Sequence, residues 1–135
     1  MIAELLIPDR LPDFGPNPWE ARCFQVSDEA DSPWLICVTC SWYDIFLARK
    51  VVQHKPTPNV LWNVLIEAIV RPEIDEPHRP KQLIVERSDD TWKHLKSNLA
   101  KMGIKLVSRK EVDFPDGFPE WCDWEWQKWE KRACK

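Results

Sequence analysis

The sequence predicts a single α/β domain on a mixed sheet, in the order β-β-β-α-β-α-β, followed by a tryptophan-rich C-terminal helix. Three observations carry this expectation. Apolar, β-prone stretches separated by turn residues run up to residue 53. Beyond them, two runs with one apolar helical face alternate with two short apolar runs of strand length. Finally, 44% hydrophobic and 30% charged residues in 135 positions suit one buried core inside one solvated surface.

Residues 1–19 contain Pro8, Pro12, Pro16 and Pro18, which fix φ and remove amide donors, so they are expected to form an extended arm. Residues 22–26 read as a strand, and SDEADSP at 27–33 as an acidic turn-rich loop. The stretches 35–40 and 45–53, parted by the short polar break 41–44, read as a hairpin, which makes the first half a β-meander. Thr57 is placed to cap a helix, and Pro58 loses nothing in a first turn whose amides have no partner. Val60, Leu61, Val64, Leu65, Ala68 and Ile69 share one face of that helix, and Pro72 ends it. EIDEPHRP at 73–80 is a crossover leading to Leu83, Ile84 and Val85, a continuous apolar run expected in a strand covered on both faces. Ser88 is the expected cap of a second helix, with Asp89 and Asp90 in the turn where the helix dipole favours negative charge. Trp92, Leu95, Leu99 and Met102 form its apolar stripe, and Gly103 supplies a left-handed stop. A strand at 104–107 closes a β-α-β unit over 82–107. The division is thus an arm at 1–19, a domain at 20–110 and a tail at 111–135.

The net charge of −3 gives no global attraction to nucleic acid or anionic lipid. No apolar run reaches the roughly 18 residues that span a bilayer, and residues 1–8 lack a basic, apolar leader, so a cytoplasmic protein without membrane contact is expected. The five cysteines, an odd number set in apolar patterns, read as reduced thiols. Cys37 and Cys40 form a lone CxxC inside a strand, where residues three apart face opposite sides; a metal would need Cys122, Cys134 or a histidine folded back. His54, His78 and His94 have no motif around them, and Gly15, Gly103 and Gly117 form no phosphate loop. No catalytic residue, metal or cofactor is expected.

Charge divides unevenly, with nine basic against three acidic side chains in 79–110. This segment carries Lys93, Lys96 and Lys101 on the second helix and offers a seat to an acidic or phosphate-bearing partner, the alternative being that it pairs with acidic segments of the same molecule or is simply solvated. In the tail, Cys122, Trp126 and Trp129 share one helical face, while Trp121 and Trp124 lie on a neighbouring one. If the first face docks on the domain, Trp121 and Trp124 are left as anchors, since interface hot spots are rich in tryptophan. The reading is a non-enzymatic interaction module that meets an unknown protein partner or a second copy through Trp121, Trp124, Lys93, Lys96 and Lys101.

The run 35–107 carries LICVTC, IFLARKVV, LWNVLIEAIVRP, EIDEPHRP and KQLIVERSDDTWKHLKSNLAKMGIKLV. With these it resembles an uncharacterised bacterial, mainly cyanobacterial, domain family of the DUF6930 type. Relatives often carry an aspartate where this chain has Thr39, and an Arg-Asp pair where it has Glu86 and Arg87. The family implies no activity, but the element order inferred for this chain is similar to a ribonuclease-H-like fold, whose nucleases hold two metal ions on carboxylates of the first strand, first helix and fourth strand. The alternative function is therefore a degenerate ribonuclease-H-like nucleic-acid protein or nuclease using Glu67 and Glu86. The expected first strand, 22–26, holds no carboxylate.

Overall fold

The computed structural model describes residues 5–133; Cys134 and the first four residues lie outside this range. The meander is β1 (Trp19–Gln25), β2 (Trp34–Cys40) and β3 (Ile45–Val52), each antiparallel to the next. Then come α1 (Pro58–Val70), β4 (Gln82–Glu86), a 3-10 turn (Trp92–Leu95) running into α2 (Lys96–Lys101), β5 (Lys105–Arg109) and α3 (Phe118–Ala133). The five strands form one mixed sheet in the order β3-β2-β1-β4-β5, with β1, β4 and β5 parallel, so β2 alone opposes the other four.

Period-two alternation makes this sheet two-faced. Trp19, Ala21 and Cys23 of β1 and Ile36, Val38 and Cys40 of β2 enter the main core. There they meet Leu61, Trp62, Leu65 and Ile69 of α1, with Trp92, Leu95, Leu99 and Met102 completing the layer. Leu35 and Cys37 point the other way, into a smaller core closed by Phe118 and Trp121 of α3. A bulge in the β2–β3 register lets the adjacent Leu47 and Ala48 reach the same core. Thr57 caps α1 as expected, its hydroxyl accepting from the Val60 amide at 3.4 Å.

Two expectations are corrected. The first strand begins at Trp19 rather than Arg22, because Trp19 and Ala21 continue the inward alternation of Cys23. The second helix is not capped by Ser88 and does not run as one α-helix: the Asp89 carboxylate accepts from the Thr91 amide at 2.9 Å, and the first turn is 3-10. The proline-bearing arm packs onto the body. Leu5, Ile7 and Leu11 pack on the main core, and the Trp62 indole donates to the Leu6 carbonyl at 2.8 Å. Prolines keep their acceptors, and Arg79 Nε uses one by donating to the Pro12 carbonyl at 2.9 Å. Among the described residues, no helix is long and apolar enough to cross a membrane.

Candidate functional site

In an open sheet with parallel strands, ligands bind outside the carboxyl ends of neighbouring strands whose connections leave in opposite directions. Here that point lies between β1, which leads to β2, and β4, which leads toward β5 on the other side. A crevice of about 340 Å³ opens there, lined by Arg22, Cys23, Lys55, Glu86, Asp89 and Thr91 among others. Most of its polar groups are matched to one another, although Arg22 Nη1 is buried there without a hydrogen-bond partner. The Arg22 guanidinium pairs with Glu86 and lies 5.2 Å and 5.0 Å from the Phe114 and Phe118 ring centres. Asp89 accepts from the Cys23 amide at 3.3 Å and from both the amide and hydroxyl of Thr91. Burial pushes the Cys23 thiol up to about 12, so it holds its proton at neutral pH.

The carboxylates expected to share a metal site are apart. Glu67 projects from α1 over β3, paired with Arg71 at 3.2 Å, in a cavity it shares with Lys50 and Asn63. Glu86 belongs to β4, and β2 and β1 lie between β3 and β4. Three strand spacings of about 4.8 Å separate them by roughly 14 Å, well beyond the roughly 4 Å gap of a two-metal centre. Among the described residues, no group of three or more histidine, cysteine, aspartate or glutamate side chains is set to hold an ion. Cys37 and Cys40 face opposite sides of the sheet, in the minor and main cores respectively.

Sequence reasoning missed Glu20, which the corrected first strand contains. It is 4% exposed, and its carboxylate accepts from the Thr39 hydroxyl at 3.1 Å and the Ser41 amide at 2.7 Å. Burial raises its pKa above the usual carboxylate range, against the pull of those two hydrogen bonds. The Thr39 donor faces Glu20, where an aspartate would set two carboxylates against each other.

Glu20 also anchors the link from β2 to β3. A 3-10 turn, Ser41–Tyr43, ends at Asp44 in the left-handed region with φ of 57°. Glu20 holds the turn at Ser41, and Asp44 holds it at the far end by accepting from the Asp116 amide at 2.6 Å. Between these ties Trp42 and Tyr43 are 77% and 52% exposed, since no layer lies above the end of the sheet. Beside them a cavity of about 520 Å³ is lined by Tyr43, Ile45, Ile74 and Pro77, with Asp75, Glu76 and His78 also on its wall. An adjacent Trp-Tyr pair in the break of a hairpin was the available signal, because turn side chains at a sheet end have no core to enter.

The predicted contact residues divide. Trp121 is 8% exposed, packed with Leu35, Cys37 and Phe118 and edge-on to Phe46 at 5.6 Å, so it is structural and not an anchor for a partner. Trp124 is 61% exposed, with the Lys128 ammonium 4.1 Å from its ring centre. Trp126 and Trp129 lie against each other at 5.2 Å. Lys93 is engaged internally, donating to the Arg87 carbonyl and pairing with Asp90 at 3.2 Å. Lys96 and Lys101 are exposed on α2, which covers the main core, while α3 covers the opposite face. The expected tryptophan and lysine contacts therefore do not form one surface. No protein-family model and no curated protein matches the sequence.

Proposed function

We propose that this chain is a non-enzymatic protein-interaction module, its principal contact surface being the Ser41–Tyr43 turn and the cavity beside it. Trp124 on α3 is a second contact, and the exposed Lys96 and Lys101 of α2 lie apart from both. The observation that carries this reading is Trp42, 77% exposed on a turn tied at both ends to the body. A turn whose backbone is fixed before binding loses little freedom on docking, and interface hot spots are rich in tryptophan. The Arg22–Glu86 pair and the hydrogen bonds of Asp89 support the same reading, since they engage the carboxylates that a metal or cationic ligand at the strand ends would need.

The test is a photo-crosslinking residue placed at position 42 of the whole protein in its native cells, compared with the same residue at exposed Ser97 on α2. Discrete protein adducts at 42, lost when Ile74→Ser is added, are expected. Equal labelling at the two positions removes the reading.

A second reading, a ribonuclease-H-like nucleic-acid protein, draws on the β3-β2-β1-β4-β5 order and on Glu20 and Glu86 lying on adjacent parallel strands. Against it, Arg22 neutralises the carboxylate that would have to bind metal. Cleavage of RNA or DNA with magnesium or manganese, abolished by Glu86→Gln, would replace the interaction reading with this one.

A further inference from the structure

The cavity beside the aromatic turn is specific in its chemistry, and its wall says what kind of side chain fits. Tyr43, Ile45 and Ile74 supply an apolar lining, and Pro16 and Pro77 stiffen two of its edges. Asp75 and Glu76 line it too, Asp44 follows Tyr43 directly, and no lysine or arginine is among the lining residues. The one basic group there, His78, is turned to the chain itself, with Nδ1 at 2.8 Å from the Glu76 carbonyl and 3.8 Å from the Asp75 carboxylate. Both carboxylates belong to exposed residues, Asp75 accepting from the Glu76 amide at 2.8 Å, and they give the cleft a negative potential for whatever enters. The half-exposed Tyr43 ring in its lining adds attraction for a cation.

We propose that this cavity receives an arginine of a partner protein, presented in an extended segment beside an aliphatic or proline residue. The assignment rests on the interaction reading above and names its partner chemistry. A guanidinium is planar, stacks on aromatic faces and offers a fork of donors that matches carboxylates, whereas an ammonium is a compact, strongly hydrated charge. The aliphatic neighbour fills the apolar side formed by Ile45 and Ile74. About 520 Å³ is room for one or two side chains and not for a folded element. The partner's contribution is therefore a linear segment, and the acidic wall selects its sign.

The test is selection of a random displayed peptide library on the whole protein, because it assumes no sequence. A consensus with arginine next to an aliphatic or proline residue is expected. The selected peptides should bind about tenfold more weakly to Ile74→Ser and to Asp75→Asn/Glu76→Gln, and should weaken as salt rises. Exchanging arginine for lysine in the consensus peptide should cost severalfold in affinity. Thermal transitions of the variants, matched to wild type, show that folding is intact. A consensus without a cation, peptides indifferent to both variants, or no enrichment at all overturns the proposal. In each of those cases adducts at position 42 still uphold the interaction reading, and their absence ends it separately.

Discussion

At the scale of the residue, Glu20 does two things that pull against each other. It ties Thr39 and Ser41 to β1 through its carboxylate, and it holds that carboxylate at 4% exposure, where charge is unfavourable. Burial raises its folded-state pKa above the unfolded value near 4.5, so the folded protein holds the proton more tightly. The stability this contributes is fully present below 4.5 and is lost as pH rises through the raised value. Glu20→Gln keeps an acceptor for Ser41 without a charge at any pH. Urea unfolding at acid and neutral pH should therefore show wild type losing ground to Glu20→Gln as pH rises; a gap that stays flat contradicts the assignment. Glu20 was hidden in the sequence because a glutamate between Trp19 and Ala21 looks like a solvated strand face. Only the long-range pairing of β1 with β2 and β4 buries it.

At the scale of the element, what was legible depended on chemistry confined to a few neighbouring residues. Thr57 and Pro58 announce α1, and they begin it; Gly103 announces the end of α2, and it has φ of 75° there. The start of that helix was not legible in the same way: Ser88 was the expected cap, whereas the 3-10 turn is preceded by Thr91 without a side-chain cap, and the Asp89 carboxylate accepts from the Thr91 amide and the distant Cys23 amide. Gly103 also does something that no local rule contains. A Cβ there would come within 2.8 Å of the tip of Phe14, a ring lying 4.0 Å beneath the Arg79 guanidinium. Arg79 in turn donates to the Met102 carbonyl at 2.7 Å and exchanges backbone hydrogen bonds with Asp13 and Gly15, so helix end and arm are one joint. Gly103→Ala is expected to cost about 1–2 kcal/mol, partly from the left-handed backbone and partly from displacing Phe14. Hydrogen exchange should rise at the Gly15 and Arg79 amides, and Phe14→Ala should return part of the lost stability in a double mutant.

At the scale of the whole molecule, the sheet decides which surfaces belong together. The order β-β-β-α-β-α-β was readable because each element carries its own apolar period, but the allocation of elements to faces was not. Nothing in the sequence of α2 or α3 says that they cover opposite sides, and so Lys96 and Trp124 could be imagined side by side. The same ambiguity affected Trp121 and Trp124, which lie only about 60° apart on a helix at 100° per residue. The sheet resolves it: Trp121 reaches Phe46 and the minor core, and Trp124 points away. Cys37 reports on this layer, because it lies beneath α3 and burial pushes its thiol up to about 12. Trp121→Ala should destabilise the protein by about 3 kcal/mol through cavity formation, while Trp124→Ala should stay within about 0.5 kcal/mol of wild type. Labelling by a thiol reagent under native conditions, located by mass spectrometry, should reach Cys37 many times faster in Trp121→Ala and no faster in Trp124→Ala. If both substitutions expose Cys37 alike, α3 is held by its whole length and not by the Phe118–Trp121 turn, and the division of its tryptophans into structural and presented is wrong.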